Sequence, residues 1–291
     1  MPFSVARSTL TIAGCGNFAM SPEVERLHVA ARRYCADRFG VWAEMYKRLA
    51  EAGGNRRGQG YTPEAYRTFP RYQVLDAIRT DLERLTGTDV GSLDDARDLF
   101  ALAGLTAENA FTTYDDPEAQ SAVVEEREAF ARFVREMPAT ALSAVESLPF
   151  TRVLPHEEAE QVWDSVERSW GLTRRQYWYP LAETERADVE AFQAPYLQRA
   201  LTAERLGTIL AERGVTRVWE LREYGPEYEL DASAFEPHYN GAERFWTSPA
   251  LDWIVYASHE TSITVGGWVL DEVKRAWPEW GRHIWTTPFF E

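Results

Sequence analysis

The spacing of apolar residues divides this chain into a helical first half and a second half that contains strands. From residue 21 to residue 50, apolar side chains recur at helical spacing, which predicts one helix or two helices broken at Gly40. Thr62-Pro63 and Ser92-Leu93 supply the cap and first-turn residues of two further helices, and residues 117–137 continue the helical pattern. We therefore predict an all-helical region over residues 20–150.

The pattern changes from helical to alternating after Gly214. Residues 215–224 place Val218, Glu220 and Arg222 on one side of a predicted strand, which a turn follows. Further strands are predicted over residues 244–247, 251–258 and 262–266, and a helix over residues 268–277. Because consecutive antiparallel strands with short turns form a meander, we predict an α+β fold. Residues 151–291 would form its α+β domain, a small antiparallel meander sheet with a C-terminal helix.

Residues 1–19 precede the first predicted helix and contain two short motifs. Residues 14–19 match the G-x-G-x-x-A fingerprint of dinucleotide-binding folds, but the chain then continues as a helix without the second strand that such folds require. Residues 12–15 resemble the cleavage box of bacterial lipoproteins, although the apolar stretch before it is too weak for a signal peptide. We expect a flexible extension here, with a lipoprotein-like leader as the alternative.

Composition and charge disfavour several classes of function. The chain of 291 residues has a net charge of −15, which argues against nucleic acid as a partner because phosphate contacts need clustered Lys and Arg. It contains no run of about 18 apolar residues, so no membrane-spanning helix is predicted. Its two cysteines, Cys15 and Cys35, fit a reducing cytoplasm and are too few for a disulfide framework or a zinc site. No cofactor and no metal site is predicted.

The negative charge is concentrated between residues 101 and 170. This segment holds 14 acidic residues against five arginines, a net charge of −9. Such a segment either forms solvated helix faces or binds a basic protein. Glu125, Glu126 and Glu128 are the candidate binding residues on the predicted helix over residues 117–137.

His259 and Glu260 are the candidates for acid–base chemistry. They begin as a zinc-protease motif would, but the second histidine of H-E-x-x-H is replaced by Ile263, so the motif fails. On a strand the two side chains point apart unless the turn rotates one of them. His238 and Tyr256 complete the candidate set, and Glu243 lies in the same preceding segment as His238. The alternative is a turn histidine without a catalytic role.

Seven of the 11 tryptophans lie in the last 75 residues. Large aromatic side chains fill the cores of short-stranded sheets, and they also anchor protein interfaces. Trp246 and Trp253 are the candidates for an aromatic binding surface, with a buried core as the alternative.

The run FWTSPALDWIVYASHETSITVGGW over residues 245–268 resembles a pattern of uncharacterised bacterial proteins, some of which are similar to small immunity or antitoxin-like proteins. The resemblance implies a bacterial, cytoplasmic, non-enzymatic protein. Together with the acidic segment, it favours a protein that binds a protein partner, with a basic partner preferred, through an acidic or aromatic surface. The alternative is an enzyme with an acid–base site near His259 and Glu260.

Overall fold

The computed structural model describes residues 20–54, 62–88, 90–172, 175 and 177–286. The predicted extension over residues 1–19, with its two motifs, therefore lies outside the described residues. Within the described ranges, no helix is long and apolar enough to cross a membrane.

Helices build the N-terminal region, as predicted. They are α1 (Pro22–Leu49), α2 (Pro63–Arg84), α3 (Leu93–Thr106), α4 (Pro117–Glu136) and the short α5 (Ala139–Leu142). The first helix continues through Gly40 without a break and ends in a π-helical turn, Ala50–Gly54. Ser21, Thr62 and Ser92 each accept a backbone N–H with their hydroxyl oxygen, which fixes the start of α1, α2 and α3. These helices enclose one apolar core that includes Leu27, Ile78, Phe100 and Phe130.

Antiparallel strands form one sheet in the second half of the chain. They are β1 (Thr151–Val153), β2 (Val189–Gln193), β3 (Arg217–Arg222), β4 (Tyr228–Asp231), β5 (Arg244–Thr247), β6 (Trp253–Ala257) and β7 (Ser262–Gly267). The order across the sheet is β1-β4-β3-β5-β6-β7-β2. The remaining helices are α6 (His156–Trp170), α7 (Ala194–Ala200), α8 (Ala203–Glu212) and α9 (Trp268–Ala276).

The α+β class, the antiparallel sheet and the helix that follows it are confirmed, while the strand order differs from a simple meander. β3 pairs with β4 on one edge and with β5 on the other, because residues 232–243 carry the chain back across β3. The two edge strands, β1 and β2, are not predicted from the sequence. Each is short and lies between helical patterns, so no alternation marks it.

The two faces of the sheet pack against different helices. Val218, Trp246 and Val255 share one apolar cluster with α7, α8 and α9. Phe245 and Tyr256 point to the opposite face and share a second cluster with α6. Neighbouring residues of β5 therefore serve opposite faces, as the pleat of a strand requires.

The helical region covers the β1-β4 end of the sheet. Thr86 Oγ1 donates a hydrogen bond to the Thr151 carbonyl at 2.8 Å, and the hydroxyls of Thr80 and Tyr228 lie 3.5 Å apart. α2 and the turn that follows it thus contact both strands of that edge, and the boundary between the helices and the sheet is an interface with polar groups on both sides.

The predicted strand–turn–strand–helix pattern of residues 252–277 depends on one glycine. Gly267 has φ +71°, a backbone conformation that L side chains rarely adopt. A Cβ there would also lie 2.9 Å from Trp253 Cα and in contact with the Asp252 carbonyl oxygen. The chain therefore passes from β7 into α9 only with glycine at this position.

We expect Gly267→Ala to lower the free energy of unfolding by more than about 2 kcal/mol, because strain and a backbone clash add together. Gly281→Ala is the matched control, since a Cβ at Gly281 meets no heavy atom within 4 Å. Urea denaturation measures both variants, and equal stability of the two would contradict the role assigned to Gly267.

Candidate functional site

The turn between β6 and β7 holds His259 and Glu260 in a fixed conformation. The Ser258 backbone N–H donates to the Ser262 carbonyl at 3.0 Å, and the hydroxyls of these serines are hydrogen-bonded at 2.7 Å. The Glu260 N–H donates to Ser258 Oγ at 3.2 Å. Thr261 has φ +56°, a strained conformation for a β-branched residue. Backbone strain of this kind is concentrated at functional sites, which makes the turn a candidate site.

Two carboxylates hold the His259 ring, one at each nitrogen. Glu243 Oε1 contacts Nδ1 and also accepts the His259 backbone N–H at 3.0 Å. Nε2 lies 3.3 Å from Glu260 Oε1. The Glu243 side chain is 1% exposed and that of His259 is 45% exposed. The turn rotates Glu260 towards His259, so the opposite orientations expected for strand neighbours do not occur here.

The same carboxylates set the protonation of the site. The hydrogen bond that the His259 ring donates to Glu243, with the charges of Glu243 and Glu260, outweighs partial burial and raises the pKa of His259 above its usual 6.5. Burial, and then the Glu243 carboxylate, raise the pKa of Tyr256 far above its usual value, so Tyr256 is a neutral phenol. In the described part of the chain neither Tyr256 Oη nor Glu243 Oε2 has a hydrogen-bond partner of ordinary geometry, although the two groups are close enough to interact electrostatically.

Two tyrosine rings lie beside the half-exposed His259 ring. The ring centroids of Tyr177 and Tyr239 lie 6.3 and 6.4 Å from that of His259. Tyr224 is 64% exposed and Tyr239 is 41% exposed. The Glu223 carboxylate raises the pKa of Tyr224, and Tyr177 and Tyr239 add to this effect. We call the whole set the His259 surface: Tyr177, Glu223, Tyr224, Tyr239, His259 and Glu260.

His238 does not join the other predicted acid–base residues. Its Nδ1 lies 2.9 Å from the Glu236 carbonyl oxygen, and its side chain lines a cavity together with Arg32 and Arg244. The fold therefore brings His259, Glu260 and Tyr256 together and leaves His238 at a different place. Glu243, from the same segment, takes the position beside His259.

The predicted acidic face of α4 is interrupted by arginines from other helices. Glu126 is buried and pairs with Arg38 of α1 and Arg71 of α2. Glu125 also pairs with Arg71. Glu128 is exposed. A charge count along one segment omits the charges that folding brings to it. Glu126 joins α4 to α1 and α2 through buried ion pairs, and Glu125 pairs with Arg71 at the surface, so neither is a free acid.

The two candidate tryptophans are buried. Trp246 and Trp253 are both inaccessible to solvent, because their positions in β5 and β6 point towards the apolar cluster under α7, α8 and α9. Trp246 Nε1 donates to Glu220 Oε2 and Trp253 Nε1 donates to Ser248 Oγ, each at 3.0 Å. Neither side chain belongs to a binding surface of this fold, which corrects the expectation of an aromatic surface at these positions.

No protein-family model, curated protein or solved structure matches this chain. The resemblance of residues 245–268 to immunity or antitoxin-like proteins therefore stays a prediction. Among the described residues, no group of three or more His, Cys, Asp or Glu side chains is placed to hold a metal ion. The titratable groups of the His259 surface are imidazole, carboxylate and phenol groups.

The sequence does not identify Tyr177, Tyr224 and Tyr239 as members of one site. They lie in three loops far apart along the chain, so no local spacing connects them. The sequence gives only a weak indication that Glu243 belongs to the site. Glu243 precedes β5, and the start of β5 pairs with the end of β6, close to the β6-β7 turn.

We expect Glu126→Gln to lower the free energy of unfolding by about 2–3 kcal/mol, because two arginines then lose a buried carboxylate. Glu128→Gln, on the exposed side of the same helix, should change it by less than about 0.5 kcal/mol. Urea denaturation tests this. An effect of Glu126→Gln no larger than that of Glu128→Gln would contradict the role assigned to Glu126.

Glu243→Gln should lower the pKa of His259 towards 6.5, because the neutral amide no longer favours the imidazolium. The folded-state pKa is raised, so the pair stabilises the wild type fully below pH 6.5 and loses this contribution as the pH rises through the folded pKa. The free energy of unfolding of Glu243→Gln should not fall in this way as the pH rises. NMR titration of the His259 ring and unfolding curves across this range measure both effects. A pKa that stays raised in Glu243→Gln and falls only in Glu260→Gln would assign the effect to the other carboxylate.

Proposed function

We propose that this protein binds a cationic segment of a protein partner at the His259 surface. It is then a non-enzymatic interaction protein, as the sequence predicts. The partner would bind at the β6-β7 turn, and not at α4 or at Trp246 and Trp253. The bacterial, cytoplasmic and immunity-like role that residues 245–268 imply is compatible with a basic partner and forms part of this proposal.

The observation that carries the proposal is the presence of exposed tyrosine rings beside carboxylates. Tyr224 and Tyr239 expose much of their rings to water, and tyrosine is one of the residues on which binding energy concentrates in protein interfaces. Aromatic rings attract Lys and Arg side chains through their faces. Glu223 places negative charge beside the Tyr224 ring, so a positively charged side chain would meet both kinds of attraction.

The surface is also held in place by the structure beneath it. Trp285 Nε1 donates to the Glu260 carbonyl at 3.1 Å, and Thr264 Oγ1 donates to the Tyr179 carbonyl. The strands on either side of the turn are buried except at Gly267, the last residue of β7. A surface that is ordered before binding loses little conformational entropy on association, which supports a role in recognition.

Proton transfer at His259 is the second candidate function, and the Glu243 contact favours it. A buried carboxylate that orients one ring nitrogen and raises the imidazole pKa is the arrangement of a general acid. His259→Gln separates the candidates. It would abolish proton transfer, whereas the binding of a cation through Tyr224, Tyr239 and Glu223 would persist.

We expect a fluorescein-labelled oligolysine peptide to bind the wild type, with affinity that falls as salt increases. Tyr224→Ala and Glu223→Gln should each weaken binding about threefold to tenfold, the size of one cation–π or charge contact. Fluorescence anisotropy at constant ionic strength measures the dissociation constants.

Glu128→Gln is the matched control, because it removes one exposed carboxylate outside the His259 surface. Its affinity should equal that of the wild type. If Glu128→Gln and Glu223→Gln weaken binding equally and Tyr224→Ala has no effect, the peptide responds only to net charge and the proposal fails.

A further inference from the structure

Four arginines meet in a cavity between the helical region and the sheet. Arg32 belongs to α1, Arg79 to α2, Arg222 to β3 and Arg244 to β5, and together they define what we call the arginine pocket. The cavity has a volume of about 350 Å³, and it is separate from the His259 surface. In a chain with a net charge of −15, such a concentration of guanidinium groups needs a physical explanation.

Carboxylates balance much of this charge but not its hydrogen-bonding capacity. Glu83, Glu220 and the exposed Glu236 line the same cavity, and Asp76 binds Arg79 at 2.9 Å. With Asp76 included, four positive charges face four negative ones. The inference therefore rests on the donors that remain unpaired, and not on net charge.

Glu220 has little capacity left for further donors. Its Oε1 accepts from Arg222 Nε at 2.6 Å and lies 3.3 Å from Arg244 Nη1. Its Oε2 accepts from Trp246 Nε1 at 3.0 Å. In the part of the chain that the structure describes, the Nε atoms of Arg32, Arg79 and Arg244 are buried without an acceptor. The cavity thus has a surplus of buried donors.

Arg32 and Arg244 are the most buried of the four arginines, since each residue is only 8% exposed. The contacts of Arg32 are long: 3.4 Å from Nη2 to Glu83 Oε1 and 3.5 Å from Nη1 to the Pro149 carbonyl. Burial lowers the pKa of both arginines, and Glu83 and Glu220 offset this only in part. Both charges would therefore gain from an additional anion beside them.

We propose that the arginine pocket binds a small molecule that carries a phosphate or carboxylate group. A guanidinium group presents parallel N–H donors that match two oxygens of such a group, which a point charge does not. Tyr228 and Leu230 line the same cavity and supply an apolar wall. The volume lies at the small end of the range for ligand sites, so the ligand is a compact one.

The ligand would contact both parts of the molecule. Arg32 and Arg79 come from the helical region, whereas Arg222 and Arg244 come from the sheet. Binding to both stabilises their association, because a ligand that binds only the folded assembly shifts the unfolding equilibrium. Ligand addition should therefore raise the melting temperature.

Inorganic phosphate and succinate are the two probes, each compared with sodium chloride at the same ionic strength. We expect at least one of them to raise the melting temperature of the full chain above that in chloride, with a matching dissociation constant from isothermal titration calorimetry. Phosphate alone would assign a phosphate ligand, succinate alone a carboxylate ligand, and both a general oxyanion site. No rise above the chloride value with either probe would overturn the proposal.

Substitutions place the binding in the pocket. Arg244→Lys keeps the charge and removes the paired donors, and it should weaken binding about tenfold. Glu236→Gln removes an exposed carboxylate at the pocket and should strengthen binding severalfold, a result that remains measurable even if Arg244→Lys folds poorly. Arg217→Gln is the control, because Arg217 lies on β3 outside the arginine pocket and pairs with Asp231. Equal effects of Arg244→Lys and Arg217→Gln, or weaker binding by Glu236→Gln, would contradict the assignment.

These outcomes are independent of the oligolysine experiment. The peptide would bind through Tyr224 and Glu223, and the anion through Arg32 and Arg244. Either proposal can fail without affecting the other.

Discussion

The buried carboxylate of Glu220 is the group on which the centre of this molecule depends. It lies within the sheet, accepts a hydrogen bond from the core residue Trp246 and forms ion pairs with both Arg222 and Arg244. Arg222 and Arg244 overcome the burial of Glu220 and keep its pKa below the usual value, so it stays ionised. Without this charge, two guanidinium groups would lose their partner between the sheet and the helices, where such burial is costly. The apolar core and the polar boundary of the fold therefore meet at one side chain.

The sequence predicts well those parts of the fold that local spacing determines. The starts of α2 and α3 follow from Thr62 and Ser92, because a cap acts within one helical turn. The hairpin of β6 and β7 and the helix α9 after it correspond to the strands predicted over residues 251–258 and 262–266 and to the helix predicted over residues 268–277. β1 and β2 are missed because their pairing with β4 and β7 joins residues far apart in the chain.

The same limit applies to the sites. His259, Glu260 and Tyr256 are close in sequence, and the sequence identifies them together. The presence of Trp246 and Trp253 in the sequence is equally typical of a binding surface and of a core. Only the face of the sheet to which each side chain points decides between these alternatives. Arg32 and Arg244 lie far apart in the chain and share a cavity only because the helical region packs against the sheet, where α2 contacts β1. No pattern along the sequence indicates that contact.

Glu243 and Arg244 are consecutive residues, yet one carboxylate serves the His259 surface and the next guanidinium serves the arginine pocket. They reach different places because Glu243, which directly precedes β5, and Arg244, the first residue of β5, point to opposite faces. A shift of β5 by one residue against β3 and β6 would exchange the two side chains. A carboxylate would then lie among the arginines and a guanidinium group beside His259. The pairing register of a four-residue strand thus determines the sign of charge on both sides of the sheet.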